Sequence, residues 1–217
     1  MAAAGPLQAL IFDFDGTLAE LNIDFGELAR QVRDLAVRRG FGEAWPAGYL
    51  LEQVAAVAAR LGNGFGDEAR ALIRAGEVEA AGRGRLFAYT RPLLAAARAQ
   101  GLGLAVISRN CAPAIRRVFP DIDQAVQAFL PRDAVARVKP DPAHPLAALG
   151  ALGVAPDRAA LVGDHPTDLD AARAAGCLAV GVASGRVALP DLAAAGADLA
   201  LPDAAGLLEA LADQGWL

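Results

Sequence analysis

One pattern constrains this chain more than any other. Short apolar runs without helical period alternate with stretches whose apolar residues recur at helical spacing. The runs fall at residues 7–12, 102–107, 125–130, 159–162, 178–182 and 198–201. Helical patterns fall at 92–100, after Pro113, and at 142–152, 167–175, 190–195 and 203–212. Strands that are apolar throughout are covered on both faces, and strands alternating with helices form βαβ units. The expected fold class is therefore α/β, a parallel sheet sandwiched by helices. Hydrophobic residues make up 55% of the 217. That suffices for such a core, although alanine inflates the figure.

The rhythm is interrupted once, directly after the first run. Leu28, Val32, Leu35 and Ala36 share a helical face that stops at Gly40. Leu51, Val54, Ala58 and Leu61 repeat the spacing before Gly62-Asn63-Gly64-Phe65-Gly66, and Ala69, Leu72, Ile73 and Gly76 before Gly82-Arg83-Gly84. Both glycine groups read as helix breaks, since neither follows a strand as a phosphate loop would. The expected organisation is an α/β core from 1–19 and 87–217, with a small all-helical insertion at 20–86.

Several function classes are excluded or disfavoured. No apolar stretch is long enough for a membrane-spanning helix. A net charge of −5 disfavours a large basic surface for nucleic acid. The opening Met-Ala-Ala-Ala-Gly-Pro lacks the pattern of a secretory signal, so the expected location is cytoplasmic. Cys111 and Cys177 form no metal or redox spacing and read as buried small hydrophobes. Cys111 keeps accessibility as an alternative, because it follows a loop with chemistry.

In open parallel sheets, ligands bind beyond the carboxyl ends of the strands. After the first run come Asp13, Asp15, Gly16 and Thr17. After Ile107 come Ser108, Arg109 and Asn110. After Val162 come Asp164, His165 and Asp168. Lys139, the only lysine among 20 basic residues, lies in a segment able to return to the same rim. So do one of two serines and two of three threonines. In a regular strand Asp13 and Asp15 would share a face, giving with Asp164 and Asp168 up to four clustered carboxylates. Like charges at about 4 Å repel by about 4 kcal/mol at an effective dielectric of 20. Such a cluster calls for a cation, and an oxygen-only donor set points to Mg²⁺. A metal, a lysine and a hydroxyl together suit a phosphoryl group.

These residues resemble, in order, the four motifs of the haloacid dehalogenase-like (HAD) superfamily. They are Asp13-Phe14-Asp15-Gly16-Thr17-Leu18, Ser108 after its strand, Lys139-Pro140-Asp141-Pro142, and Gly163-Asp164-His165-Pro166-Thr167-Asp168. The resemblance implies a Rossmann-like core and a set of roles. Asp13 would be the nucleophile forming an aspartyl-phosphate. Asp15 would be the acid and base. Asp13, the Asp15 carbonyl and Asp164 would hold Mg²⁺, with Asp168 a ligand through water or a brace for Lys139. Gly16, Thr17, Ser108, Arg109, Asn110 and Lys139 would bind the substrate phosphate. The helical insertion resembles the cap of the subclass that includes phosphoglycolate phosphatases.

The implied activity is Mg²⁺-dependent hydrolysis of a small phosphorylated metabolite, phosphoglycolate-like or a sugar phosphate. A phosphomutase, or a non-catalytic protein that binds a phosphometabolite, is the alternative. Asp15 favours phosphate chemistry over carbon–halogen cleavage. The expected state is a monomer or homodimer. Arg109 departs from the family pattern and reads as an anion contact or a solvent-facing residue. Arg70 and Arg74 could share a face toward a substrate anion or toward solvent, and Arg91 stands likewise. His165 is expected to pack beside Pro166, or else to touch substrate. His144 is expected on a solvent-facing helix surface.

Overall fold

The computed structural model describes residues 5–217; the first four residues of the expected 1–19 segment lie outside the described residues. Six strands make one parallel sheet: β1 (Ala9–Phe12), β4 (Gly103–Ile107), β5 (Ala128–Leu130), β6 (Ala159–Gly163), β7 (Leu178–Val182) and β8 (Leu199–Leu201). Their order is β5-β4-β1-β6-β7-β8. β1 pairs with β4 through Phe12 opposite Val106, and with β6 through Phe12 opposite Val162. The strand order reverses beside β1, so the carboxyl end of β1 is the switch point where an open α/β sheet forms its crevice.

Alternation along the strands builds two apolar layers. Leu10, Phe12, Leu104, Val106, Val162 and Val180 face one way, packing against Leu93, Leu94, Ile115 and Leu211. These come from α4 (Thr90–Ala99), α5 (Ala112–Val118) and α10 (Leu207–Asp213). Ile11, Ala105, Ile107, Leu161 and Ala179 face the other way, packing against Leu149, Leu169 and Leu192. Those belong to α7 (Ala143–Leu152), α8 (Pro166–Ala175) and α9 (Leu189–Ala194). The α/β sandwich is as expected.

The run expected at 125–130 divides differently. A single helical turn, α6 (Ile122–Ala125), precedes β5. Gln127 then joins the sheet edge, with its main-chain N–H donating to Leu104 O and its side chain accepting from Leu104 N–H. Apolar content alone does not separate a short helical turn from a strand. The final helix also starts later than expected, after a turn in which Asp203 accepts from Ala205 N–H.

Between β1 and α4 run three helices, α1 (Phe25–Arg38), α2 (Leu50–Leu61) and α3 (Asn63–Ala81). Val32, Leu35, Val54, Val57, Phe65, Ala69 and Ile73 form an apolar core of their own. α3 begins at Asn63, so Gly62 alone breaks the chain and Gly64 and Gly66 lie inside the helix. This segment is not wholly helical. β2 (Ala19–Glu20) and β3 (Arg85–Leu86) pair antiparallel at its base, a two-residue ribbon too short to leave an alternation signal.

Candidate active site

The main chain of β1 carries into Asp13, whose N–H donates to Val162 O at 2.8 Å. The chain then turns through Gly16 at φ +89°, a conformation that favours glycine. A Cβ on Gly16 would lie 2.3 Å from Asp164 Oδ2. The turn ends regular strand geometry, so Asp13 and Asp15 part company. The Asp15 carboxylate accepts from Leu21 N–H at 2.8 Å. Oxygens of Asp13, Asp164 and Asp168 lie within 4.8 Å of one another. Of the up to four carboxylates expected to cluster, these three lie together.

Lys139 reaches this cluster from the loop after β5. Its Nζ is 2.6 Å from Asp13 Oδ1 and 2.6 Å from Asp168 Oδ1, and the side chain is 1% exposed. With all three carboxylates ionised, one ammonium would leave an excess of two negative charges. That excess and an all-oxygen donor set fit a hard divalent cation. Asp168 also accepts from His165 N–H at 3.1 Å, which ties it to the start of α8.

Burial and crowding govern protonation here. The Asp13 carboxyl is raised, chiefly by burial, with Lys139 opposing. Asp164 is pushed up to about 8 by burial and by the charges of Asp13 and Asp168. Asp15 is raised to about 6 by burial, opposed by the Leu21 hydrogen bond. Burial would lower Lys139, but the Asp13 and Asp168 charges outweigh it and hold its ammonium above the ordinary range.

The Ser108 side chain is fully buried; its hydroxyl donates to Asn110 Oδ1 at 3.1 Å and accepts from Asn110 N–H at 3.2 Å. Asn110 lines the cleft above, as does Thr167. Thr17 is buried, with its hydroxyl unpartnered among the described residues. Arg109 neither points to solvent nor stands free for an anion. It forms a bidentate pair with Glu52 of α2 at 2.9 and 2.8 Å, lies over the Tyr49 ring at 5.3 Å and donates to Lys139 O.

His165 caps α8, accepting from Thr167 N–H at Nδ1 (3.2 Å), and meets Tyr49 edge-on at 5.3 Å. His144 corrects its expectation. It is buried, accepting from Lys139 N–H at Nδ1 (3.2 Å) and bonding Leu130 O through Nε2 (2.9 Å). The loop carrying Lys139 folds back onto α7 and covers the ring. Arg70 pairs with Asp67 on the exposed side of α3, Arg74 is also exposed, and Arg91 pairs with Asp121. None of the three lines the cleft. Cys111 and Cys177 are buried, their thiols pushed up to about 12 and about 11 by burial.

Other residues at the site went unread in the sequence. Glu77 of α3 pairs with Arg132, which follows β5. Ser184, after β7, donates to Gly16 O at 2.7 Å. A Cβ on Gly185 would lie 1.8 Å from Asp164 Oδ2. Arg186 donates to Ile23 O and lies 4.6 Å from the Phe25 ring. The rule that placed Asp13, Ser108 and Asp164 also finds Arg132, Ser184, Gly185 and Arg186 when applied past Leu130 and Val182, but not Glu77, which lies on a helix.

The family profile described as haloacid dehalogenase-like hydrolase matches residues 7–176. The chain belongs to this family. Among curated HAD relatives, a phosphoglycolate phosphatase of Rhodospirillum rubrum is 34% identical over 191 residues, 78% of this chain and 76% of that protein. The phosphoglycolate phosphatase of Escherichia coli K12 is 33% identical over 102 residues, and the match spans only 40% of its length. Among solved structures, a hydrolase from Pseudomonas syringae superimposes with a TM-score of 0.75 at 20% identity, over 95% of this chain and 98% of that one. That likeness shows the fold. No helix among the described residues is long and apolar enough to cross a membrane.

Proposed function

We propose that this HAD hydrolase is a Mg²⁺-dependent phosphatase that cleaves a small phosphorylated metabolite through an aspartyl-phosphate, with phosphoglycolate and sugar phosphates as first candidates. The observation that carries the reading is the Lys139 ammonium held 2.6 Å from both Asp13 and Asp168, with Asp164 in the same cluster. The phosphoglycolate phosphatase relatives support the reaction class.

An Asp13 carboxylate oxygen attacks phosphorus, forming a P–O bond as the ester P–O bond breaks. The departing alkoxide takes the Asp15 proton. With a pKa near 6, Asp15 is close to the range where both protonation states are populated. The resulting Asp15 carboxylate removes a proton from water, whose oxygen attacks phosphorus and breaks the bond to Asp13. Free phosphate leaves, with Asp13 ionised and Asp15 protonated again. Asp13, Asp164 and the Asp15 carbonyl would hold Mg²⁺, which when bound offsets the negative charge of the phosphoryl oxygens. Asp168 acts chiefly as a brace for Lys139. Lys139 reduces the repulsion between the Asp13 carboxylate and the incoming phosphate. The helices at 20–86 act as a cap that excludes bulk water and meets the leaving group.

Asp13→Asn is the test. With Mg²⁺, the wild type releases phosphate from p-nitrophenyl phosphate, and the variant folds with an unchanged circular dichroism spectrum but loses at least 10³-fold in kcat, about 4 kcal/mol. Undiminished turnover removes Asp13 from the mechanism.

A further inference from the structure

The cleft is larger than a two-carbon substrate needs. It encloses about 440 Å³, within the range that holds drug-sized ligands. The phosphate ester of a two-carbon acid displaces about five water volumes, roughly 150 Å³ at about 30 Å³ per water. Most of the space therefore lies beyond the phosphoryl site.

The two sides of that space differ in chemistry. The floor holds the carboxylates, Lys139 and Asn110. The helical side presents Phe25 and Ala29 of α1, Tyr49, Leu50 and Leu51 at the start of α2, and Ile73 of α3. Four large hydrophobic side chains of the described residues are exposed; two of them, Phe25 at 39% and Tyr49 at 44%, line this cleft. Apolar rings left facing a cleft above polar groups mark a binding surface.

The arginines of the lining divide in the same way. Of the four, Arg109 and Arg132 are held by Glu52 and Glu77, and Arg186 is held by the Ile23 carbonyl and the Phe25 ring. Arg33 covers the Trp45 ring at 5.4 Å and has no carboxylate partner among the described residues. Phe25, Ala29 and Arg33 recur every four residues, so they form one stripe about 12 Å long on α1. Phe25 is the end under Arg186, against the core. Arg33 is the far end.

We propose that the leaving group is bulkier and less polar than glycolate: an alcohol with an apolar or aromatic body, bearing an anionic group at its distal end that Arg33 meets. This rests on the phosphatase reading above and narrows its substrate class. The carboxylates and Lys139 take the phosphate, the α1–α2 wall takes the body, and Arg33 replaces its contact with bulk water by an ion pair.

Four esters of primary alcohols test it on the purified protein with Mg²⁺, by phosphate release: phosphoglycolate, ethyl phosphate, 2-phenylethyl phosphate and 4-(2-phosphooxyethyl)benzoate. The expected order in kcat/KM puts the benzoate first, at least tenfold above phosphoglycolate, with 2-phenylethyl phosphate at least tenfold above ethyl phosphate. Arg33→Met removes at least fivefold from the benzoate, mostly in KM, and less than twofold from 2-phenylethyl phosphate. Ala29→Trp, which fills the stripe, lowers the ratio of 2-phenylethyl to ethyl phosphate at least fivefold. Equal or better turnover of phosphoglycolate overturns this inference and leaves the phosphatase standing. A benzoate advantage untouched by Arg33→Met overturns the role of Arg33. No phosphate from any of the four, with p-nitrophenyl phosphate still hydrolysed, overturns this inference alone; no phosphate from that ester either overturns the phosphatase reading as well.

Discussion

Glu77 accepts two hydrogen bonds from Arg132, at 2.6 and 2.9 Å, with 2% of its side chain exposed. Glu77 sits on α3 and Arg132 follows β5, so one buried ion pair ties the inserted helices to the sheet. Glu77 also accepts from Cys111 N–H at 3.0 Å, and Arg132 donates to Arg109 O at 2.7 Å. Removing one partner leaves a desolvated charge. Glu77→Gln should lower unfolding free energy in urea by about 3 kcal/mol. Glu77→Leu with Arg132→Met should recover at least half of that loss, because neither charge remains buried. A single variant as stable as wild type shows that the pair does not anchor α3.

His144 gives the fold an acid sensitivity of its own. Its neutral ring satisfies both neighbours when the proton is on Nε2, donating to Leu130 O while Nδ1 accepts from Lys139 N–H. Protonating Nδ1 destroys that acceptor. Burial, then the Lys139 charge, depress the imidazole from 6.5 to about 4. The unfolded chain therefore takes up the proton first as pH falls. The stabilisation is complete above about pH 6.5 and is lost progressively down to pH 4. Between pH 7.5 and 5 this amounts to about 2 kcal/mol. Urea unfolding should show His144→Gln losing about 2 kcal/mol less than wild type over that interval. Parallel losses would mean that another group carries the acid sensitivity.

The parts of the site legible in the sequence are those that follow strands. Asp13, Asp164 and the Ser108 loop came from one rule about the carboxyl ends of parallel strands, and the structure sets all three at the switch point beside β1. The scarcity of lysine marked Lys139, whose 126-residue separation from Asp13 hides their pairing from any local pattern. Arg132 and Gly185 were within reach of the same rule. Glu52, Tyr49 and Glu77 were not. They act from helices whose solvent-facing and cleft-facing sides carry the same polar residue types, so periodicity shows what is buried in the helical core but not what meets the sheet. His144 shows the converse error: a polar residue on a helix was placed outside, while the loop that buries it is invisible until Lys139 is fixed. Apolar content also misassigned residues 125–127, where one helical turn and an extended residue share the composition of a strand.

Arg109 joins three things that the proposed reaction needs together. It pairs with Glu52 of α2, faces the Tyr49 ring and donates to the main chain of Lys139. Glu52 is 44% exposed, so the pair contributes up to about 1 kcal/mol. Glu52→Gln should therefore leave global stability within about 0.5 kcal/mol. It should raise KM by up to about fivefold and quicken proteolysis in the 40–49 connection. High salt should reproduce part of the KM change in the wild type but not in the variant. Equal salt dependence in both would separate the pair from substrate binding.

Gly185 tests the metal reading without replacing a proposed ligand. The residue is exposed and its φ lies outside the left-handed region, so alanine imposes no backbone strain. Its added Cβ would nonetheless meet Asp164 Oδ2 at 1.8 Å and Asp164 Cβ at 2.8 Å. Either the Asp164 side chain or the loop after β7 has to move. Gly16→Ala makes a similar clash at 2.3 Å but adds the cost of φ +89°. Gly185→Ala should thus fold normally while binding Mg²⁺ at least tenfold more weakly in calorimetric titration, a change of about 1.4 kcal/mol. Gly16→Ala should lose both stability and affinity. If Gly185→Ala binds Mg²⁺ as the wild type does, either the loop after β7 has yielded in place of Asp164 or Asp164 does not hold the ion, and unchanged binding by Asp164→Asn selects the second.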